Sequence, residues 1–538
     1  MVKERGGALL LAACGVAVFL WPARLGLLGN PGGETHNHLW ALAQARLGLE
    51  VNVPDGWDVP LMDPPNLLWF WLGWLVSPVV AWNLTAVANV AIGLCGGAWL
   101  GWEVSRTRSG AWVAAAATGF SPFLAGAIDF GVTEAWPLGL YAAHVAAMER
   151  MRNRPDRRTT VVAGVLLAAF ALSGWYHACF ALLIAPLLAL RVGHREALLA
   201  GAVAAVLVFP RFWGLLPHLE VWQERAAGLS DPAPIRAWLS VERYGIDLLR
   251  FLPSTSQFSP SYSVYLGVVV VLLAAVGAKR SLPWLLMATP LWVLALGHWL
   301  RVGGVPVTLE EPVLMPAGWL VDRVPLLRFI THWYRAAGPA TVLLAAGAAV
   351  GAGRLEGWLS GSGRLRFAAL LAPALAALVL LDSIGLSGTR WPRVAAPLPA
   401  PPFATFSGPV LDLPIDDNRT DPAMYGSRRP YWLFQVAHEA PVAENYEAAD
   451  SVLMRSGEAR RLQTACGGLP RSRPGAVHAG EEAPGSGAVT LRSLGFAEVV
   501  VHRRLAPPGC EAAVRAQLGS PFEEVETAAR WVLAGAVR

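Results

Sequence analysis

Charged residues are scarce in this sequence, and lysine is almost missing. Asp, Glu, Lys and Arg make up 15% of the 538 residues, and lysine occurs only as Lys3 and Lys279. Hydrophobic residues make up 54%, and the mean hydropathy is +0.44. Because an ordinary globular protein is less apolar than this, most of the chain is expected to lie in a lipid bilayer.

The long apolar stretches contain almost no Asp, Glu, Lys or Arg away from their ends. Ion-coupled pumps usually carry such residues inside the membrane, so that class is not favoured. No Gly-rich phosphate loop with a lysine is present, which argues against direct use of ATP. No internal repeat is visible, which weakens an inverted-repeat transporter. Any chemistry is therefore expected at the ends of the apolar stretches.

The sequence predicts an α-helical polytopic membrane protein with about eleven transmembrane helices, counting runs of about 17 or more apolar residues and a few shorter ones. The predicted spans are 8–28, 79–102, 111–127, 133–148, 160–174, 176–191, 197–213, 262–278, 282–300, 336–353 and 367–386.

The loops between these spans are alternately rich and poor in arginine. The bases of the rich set are Lys3, Arg5, Arg106, Arg108, Arg150, Arg152, Arg154, Arg157, Arg158, Arg191, Arg195, Lys279, Arg280, Arg354, Arg364 and Arg366. Because cytoplasmic loops carry the excess of Lys and Arg, we expect a cytoplasmic N-terminus in a bacterial inner membrane. The net charge of +5 is then explained by topology, and no nucleic-acid partner is expected.

An odd number of spans places the C-terminal part outside. The composition predicts a transmembrane domain over 1–386, a Pro-rich linker over 387–402 and an external, periplasmic α/β domain over 403–538. Strands are predicted at Pro409–Pro414 and Phe496–His502, and helices at Tyr431–His438 and Glu511–Leu518. Cys466 and Cys510 form a disulfide or remain free thiols, and the sequence leaves both open.

The first external loop is long and acidic. It carries a predicted surface helix at His36–Leu49, capped by Thr35, and a short apolar run at Leu67–Leu72. Two more long external segments, 214–261 with interfacial aromatic residues and 301–335, follow.

Glu34 is the first candidate for a catalytic carboxylate, because it follows the first span and a rigid helix can hold it at the bilayer surface. The alternative is a solvated acid that helps a helix N-terminus. His36 and His38 beside Glu34 imitate a zinc spacing but lack a fourth ligand. Asp55 and Asp58 are candidates for a divalent cation, Mg or Mn, or are solvated turn acids. Further acids of this loop are Glu50 and Asp63. The candidate substrate-binding residues of the loop are His36, His38, Asp55, Asp58 and Asp63.

A second group of candidates lies at other external turns. Glu134 follows the third span, and Tyr176 and His177 lie at the turn before the sixth. His177 binds substrate, or it is a satisfied histidine in an interfacial aromatic cluster. Arginines before the tenth span could hold a lipid phosphate, or they anchor the chain to headgroups. The residues of that segment are Arg328, His332 and Arg335.

This layout resembles the GT-C superfamily of polyprenyl-phosphate-sugar-dependent membrane glycosyltransferases, and more closely an uncharacterised bacterial multi-pass family assigned to it. The similarity runs over nearly the whole chain. Its motifs are Pro54–Trp57, Asp63–Leu68, Trp136–Leu138, Ser173–Tyr176, Val264–Gly267, Leu296–Gly297 and Leu494–His502.

The resemblance implies sugar transfer from a polyprenyl-phosphate donor to a glycan, lipid or protein acceptor on the external face. By this resemblance Glu34 would take the acceptor proton as general base, and Arg328 and Arg335 would steady the leaving phosphate. One departure is the single Glu34 followed by Thr35 and His36, where the superfamily often has Asp or two adjacent acids. The alternatives are a lipid or lipid-linked-glycan transporter, which needs a polar path through the bundle, and a noncatalytic glycan-binding scaffold of the envelope.

Overall fold

The computed structural model describes only part of the chain, and every structural statement below concerns that part. The described residues are 27–29, 52–53, 72, 75–215, 245–253, 264–324, 327, 330, 332–387, 394–395, 401–414, 434, 438, 440–443, 456–467 and 490–533.

These residues are mainly α-helical. The helices are α1 Pro78–Ser105, α2 Arg108–Gly119, α3 Pro122–Phe130, α4 Leu138–Asn153, α5 Arg157–Ser173, α6 Trp175–Val192, α7 His194–Leu215, α8 Val268–Gly277, α9 Leu282–Ala295, α10 Pro316–Arg323, α11 Ala337–Gly361, α12 Leu365–Gly385, α13 Gly457–Ala465 and α14 Cys510–Leu518. Every predicted span from residue 79 onward thus overlaps a helix or a pair of helices.

Several of these helices are apolar and long enough to cross a bilayer. By length and composition, four segments of the described chain qualify: Val79–Ser105, Arg108–Phe130, Trp333–Gly361 and Leu365–Gly385. Tyr176–Val192 and Leu282–Ala295 are shorter apolar helices. The fold is therefore that of a polytopic membrane protein, and the number of eleven spans stays a prediction.

Glycines allow the helices at the centre of the bundle to approach closely. α1 packs against both α2 and α4. A Cβ atom on Gly96 would overlap the carbonyl oxygen of Gly139 in α4, and one on Gly101 would overlap that of Gly110 in α2. Small residues at such positions let backbones meet where lipid supplies no hydrophobic driving force. The many Gly and Ala residues of the apolar stretches therefore build helix contacts.

Ion pairs connect several of the arginine-rich turns at one end of the helix bundle. Glu103, near the end of α1, pairs with Arg106 and lies 4.0 Å from Arg150 at the end of α4. Glu149 accepts a hydrogen bond of 2.8 Å from Nε of Arg191 at the end of α6. Three of the turns that the sequence assigns to the cytoplasm, those that follow α1, α4 and α6, therefore meet at the same end.

Two predicted spans begin or break differently from the expectation. The span 111–127 is interrupted at Phe120, because the Ser121 hydroxyl accepts from the Leu124 amide and starts α3 anew. The span 262–278 becomes helical only at Val268. There Asp382 of α12 accepts from the Tyr265 hydroxyl at 2.5 Å and fixes the non-helical approach.

The strands form three sheets. The strands are β1 Leu27–Leu28, β2 Asn52–Val53, β3 Arg301–Val302, β4 Val305–Pro306, β5 Val394–Ala395, β6 Val410–Leu413, β7 Val442–Ala443, β8 Glu498–His502, β9 Glu523–Val525 and β10 Ala528–Val532. β1 pairs with β5, β3 with β4, and the remaining six follow the order β2-β7-β6-β8-β10-β9.

The six-stranded sheet carries helices α13 and α14 on one face. Leu411, Leu413, Val499 and Val501 point into the apolar cluster that includes these helices, because side chains alternate along a strand. Cys466 at the end of α13 and Cys510 at the start of α14 form a disulfide there. Of the predicted helix Tyr431–His438, only Phe434 and His438 are described, and both are helical.

The end of the first predicted span and the loop after it contribute strands where helix or loop was expected. The prediction of a helix up to residue 28 is wrong at its end, because Leu27 and Leu28 pair as a strand with Val394 and Ala395. Such pairing between distant residues leaves no trace in local periodicity. Asn52–Val53 adds a strand to the sheet formed by the C-terminal part of the chain. The rest of the first span and the predicted surface helix lie outside the described residues.

Candidate functional site

Three turns meet at the end of the bundle opposite the basic turns. Glu134 lies in the 3₁₀ turn Thr133–Ala135 between α3 and α4, and Arg335 lies in the 3₁₀ turn Trp333–Ala336 before α11. Tyr176 and His177 belong to the first turn of α6. Gly131, with φ 78°, ends α3 and turns the chain towards Glu134. The sequence predicts that this end is external, and we therefore call Glu134, Tyr176, His177, His332 and Arg335 the external-end cluster.

A buried ion pair forms the centre of the external-end cluster. Nη1 of Arg335 lies 2.5 Å from Oε1 of Glu134, and their side chains are only 3% and 2% exposed. Charges taken out of water require such a partner. The guanidinium also lies 4.5 Å above the ring of Tyr176 and donates from Nε to the Tyr334 hydroxyl at 3.3 Å. Arg335 is thus held in a fixed orientation.

Glycines let the backbone pack against this cluster. A Cβ on Gly174 would overlap the carbonyl oxygen of Glu134, so only glycine fits between α5 and α6 there. A Cβ on Gly338 would lie 3.1 Å from Cδ2 of His177 and 2.9 Å from Cε1 of Phe123. Because neither glycine has a side chain that would separate the turns, the residues of the cluster can lie in contact.

His177 is a fully buried imidazole whose two ring nitrogens have no hydrogen-bond partner in the described part of the chain. Phe123 and Phe170 lie edge-on to it, with centroids 5.9 and 6.4 Å away. The aromatic cluster of the alternative prediction is present, but the hydrogen bonds that would satisfy the ring are not seen among these residues. Leaving such a group unpaired costs about 1–3 kcal/mol, so a ligand or water is the expected partner.

His332 completes the cluster on its more exposed side. Its partly buried ring lies edge-on to Tyr176 and Tyr334, with centroids 5.8 and 5.7 Å away. An acid, a guanidinium, two imidazoles and a phenol therefore lie close together in a bundle whose helices are mostly apolar. This set can bind an anion and can donate and accept hydrogen bonds.

A chain of contacts leads from the cluster to Leu28, the last residue of the first predicted span. Trp136, two residues after Glu134, lies edge-on to Trp82 of α1 with centroids 4.7 Å apart. Nε1 of Trp82 donates to the carbonyl oxygen of Leu28 at 2.8 Å. Covalent geometry alone keeps Glu34 within about 20 Å of Leu28.

The remaining candidates of the sequence lie outside the described residues. They are Glu34, His36, His38, Asp55, Asp58, Asp63 and Arg328. Within the described ranges, no group of three His, Cys, Asp or Glu side chains could hold a metal ion. A Mg or Mn site at Asp55 and Asp58 thus stays a prediction.

Sequence reasoning did not assign a role at the site to Tyr334, Trp136 or Trp82, which pack around the cluster or link it to Leu28. Tyr334 lies next to Arg335 in the sequence, and Trp136 belongs to one of the resemblance motifs, so both gave a signal. The contact of Trp82 with residue 28 depends on the folded chain and has no counterpart in the local pattern.

No family model and no curated protein matches the chain. Among solved structures, it is similar to the arabinofuranosyltransferase AftD from Mycobacteria, at a TM-score of 0.47 and 15% identity over 98% of this chain. The chain spans 41% of the length of AftD. It is also similar to ArnT from Cupriavidus metallidurans bound to undecaprenyl phosphate, at a TM-score of 0.42 and 14% identity over 99% of each chain.

Proposed function

We propose that the chain is a GT-C-type membrane glycosyltransferase that moves a sugar from a polyprenyl-phosphate donor to an envelope acceptor on the external face of the inner membrane. The observation that carries the proposal is Arg335, a buried and oriented guanidinium at the end of a mostly apolar bundle. A lipid phosphate needs a cation at the end of the bundle for its headgroup and an apolar surface for its tail.

Arg335 and His177 hold the phosphate of the donor. A guanidinium binds phosphate through its planar array of N–H donors, and the unsatisfied imidazole of His177 adds a donor or acceptor on the same helix turn as Tyr176. Glu134 fixes the guanidinium and offsets its charge, so that Arg335 remains buried before the donor arrives. His332 and Tyr176 line the approach.

Glu34 takes the proton from the acceptor hydroxyl. Leu28 is bound to Trp82 of α1, which packs against Trp136. Because Glu34 follows Leu28 by six residues, this attachment supports a position of Glu34 near the cluster. A carboxylate in such a position acts as a general base when the acceptor oxygen attacks the sugar. Departure of the polyprenyl phosphate then places new charge beside Arg335, which stabilises it. Arg328 joins Arg335 in this role.

The topology has a cytoplasmic N-terminus, eleven spans and an external domain over 403–538 after a linker over 387–402. The clustering of Glu103, Glu149 and their arginines at one end supports this arrangement, because cytoplasmic turns carry the excess of basic residues. The disulfide Cys466–Cys510 supports an oxidising compartment for the C-terminal part.

Binding of undecaprenyl phosphate to the purified protein in detergent tests the proposal. Arg335→Gln should weaken binding about 10- to 100-fold, because a charge-assisted contact to phosphate is lost, and Arg335→Lys should restore part of it. The matched control is Arg323→Gln, since Arg323 is an exposed arginine that stacks on Trp319. Equal affinity of the wild type and Arg335→Gln would refute the assignment of the phosphate site.

The second candidate function is a noncatalytic scaffold that binds glycan through its C-terminal domain. The observation that favours it is the six-stranded sheet of that domain. A lipid transporter is disfavoured, because the described helices carry few charged residues between their ends. The scaffold predicts no release of undecaprenyl phosphate from lipid-linked sugars by the wild type.

A further inference from the structure

The six-stranded sheet has a topological switch point between the strands β6 and β8. The two strands are parallel neighbours, with Leu413 opposite Val501. Phe434, which follows β6, stacks on His502 on one face of the sheet. The helix that follows β8, α14, packs on the opposite face together with α13. In open α/β sheets, ligands bind outside the carboxyl ends of neighbouring strands whose connections leave to opposite faces.

An acid and an imidazole lie at the carboxyl ends of these two strands. Asp412 and His502 point away from α13 and α14, because side chains alternate along a strand and Leu413 and Val501 pack against those helices. Nε2 of His502 donates to Oδ1 of Asp412 at 2.7 Å. The side chain of Asp412 is only 9% exposed, and its Oδ2 accepts no hydrogen bond from the described residues. Because each carboxylate oxygen has two lone pairs, Oδ2 can accept from a ligand.

A second imidazole, that of His438, lies near the same acid. Its Nδ1 accepts from the amide of Ala440 at 3.1 Å, so the proton of the neutral ring is on Nε2. Burial lowers the pKa of His438, although the charge of Asp412 acts in the opposite direction. The ring is therefore neutral at pH 7 and offers one N–H donor.

The half-buried ring of Phe406 lies beside His438, with the two centroids 4.6 Å apart. The guanidinium of Arg530 lies 5.0 Å above Phe406 and donates to Glu498 at 2.9 Å, so its charge is already compensated. Asp412 adds a negative charge that repels anions. This arrangement suits a neutral ligand that has an apolar face and hydroxyl groups.

We propose that Asp412, His438 and Phe406 form a binding site for a neutral sugar at the switch point of the six-stranded sheet. One hydroxyl group of the sugar donates to Oδ2 of Asp412, a neighbouring one accepts from Nε2 of His438, and the C–H face of the ring packs on Phe406. Aromatic side chains with a few fixed polar groups are typical of such sites. His502 and Phe434 hold the carboxylate in place.

This inference deepens the proposed function, because it gives the acceptor glycan a binding site apart from Arg335. It rests on the proposed function only in identifying the bound sugar as the acceptor. The binding itself requires no sugar transfer and no lipid-linked donor.

Titration of the full-length protein in detergent with free pentoses, hexoses and N-acetylhexosamines tests the site, with saturation-transfer NMR as the readout. At least one of these sugars should bind saturably. Asp412→Asn keeps the acceptor for His502 but replaces Oδ2 by an amide donor, and it should weaken binding about 10- to 100-fold. Glu526→Gln, which removes an acid elsewhere in this part of the chain, should retain the wild-type affinity.

A second variant keeps the test valid if Asp412→Asn lowers the Tm. Phe406→Leu should weaken sugar binding about tenfold, because the flat ring face is lost. The matched control is Phe522→Leu, since the Arg530 guanidinium lies over both rings and Phe522 is 70% exposed. Saturable binding of none of the sugars, or equal affinity in the wild type, Asp412→Asn and Phe406→Leu, would overturn the proposal.

Undecaprenyl phosphate separates this inference from the proposed function. Asp412→Asn should bind this lipid as tightly as the wild type, because the proposed phosphate site is at Arg335. A wild type that binds sugar but not undecaprenyl phosphate would contradict only the proposed function. Displacement of the bound sugar by undecaprenyl phosphate would contradict the sugar site at Asp412.

Discussion

Trp82 and Trp136 lie edge to face with their ring centroids 4.7 Å apart, and this contact links Leu28 to the external-end cluster. Trp82 holds Leu28 through its indole N–H, and Trp136 follows Glu134 by two residues. A change at Trp82 should therefore affect stability through one hydrogen bond to a distant segment.

Trp82→Phe should lower the free energy of unfolding by about 1–3 kcal/mol, because the buried carbonyl of Leu28 loses a donor. The measurement is the Tm of the purified protein in detergent. Trp358→Phe is the control, since Trp358 is 64% exposed in α11 and its replacement should leave Tm unchanged. A loss no larger than that of Trp358→Phe would show that the hydrogen bond contributes nothing.

Glu134→Gln should destabilise the protein by about 3–5 kcal/mol, because it leaves the guanidinium of Arg335 buried without its carboxylate. Arg335→Gln should cost a similar amount. The double variant should cost clearly less than the sum, since both charges are then removed. Thermal unfolding of all four proteins gives the coupling, and strictly additive losses would show that the two groups do not interact.

Gly96→Ala should destabilise the bundle by about 1–3 kcal/mol, because its Cβ would overlap the carbonyl oxygen of Gly139. Gly357→Ala provides the opposite case in α11. Gly357 is exposed, and no atom lies within 4 Å of the added Cβ. The variant should therefore gain about 0.5–1 kcal/mol in the free energy of unfolding from reduced backbone entropy. Equal effects of the two substitutions on Tm would contradict the close approach of α1 and α4.

The stability of the six-stranded sheet and the helices packed on it should depend on pH through Glu511. Arg503 donates to its carboxylate at 2.7 and 2.9 Å and Arg515 at 2.7 Å, and these bonds lower the pKa of Glu511 from 4.5 to about 2. Because the folded pKa lies below the unfolded one, the contribution is complete above about pH 4.5 and is lost as the pH falls towards 2.

The difference in Tm between the wild type and Glu511→Gln should accordingly be largest at pH 6 and should close by about pH 2. Glu526→Gln, which also removes one acid from this part of the chain, serves as the control and should not show this pH-dependent difference in Tm. A difference that does not change between pH 6 and pH 3 would contradict the pKa assigned to Glu511.

The sequence predicted those parts of the fold that depend on local patterns. The strands at Val410–Leu413 and Glu498–His502 and the helix at Cys510–Leu518 fall where apolar runs and turn residues placed them. The sequence could not predict that Leu28 pairs with Val394, because this contact depends on how the loop and the tail meet.

For the site, the sequence identified the individual residues but not their partners. Glu134 and Arg335 were candidates because they lie at external turns, yet nothing in the chain indicated that they pair. Glu103 and Glu149 each directly follow a predicted span, 79–102 and 133–148, yet both are buried and pair with arginines of other helix ends. Charge pairing in a bundle depends on helix neighbours, which apolar periodicity does not specify.

The most direct measurement is the release of undecaprenyl phosphate from undecaprenyl-phosphate-linked sugars by the wild type, Glu34→Gln and Glu34→Asp in the presence of envelope acceptors. The account predicts turnover by the wild type, a loss of at least 100-fold in Glu34→Gln and partial activity in Glu34→Asp, with unchanged binding of undecaprenyl phosphate in all three. Full turnover by Glu34→Gln, or none by the wild type, would contradict it.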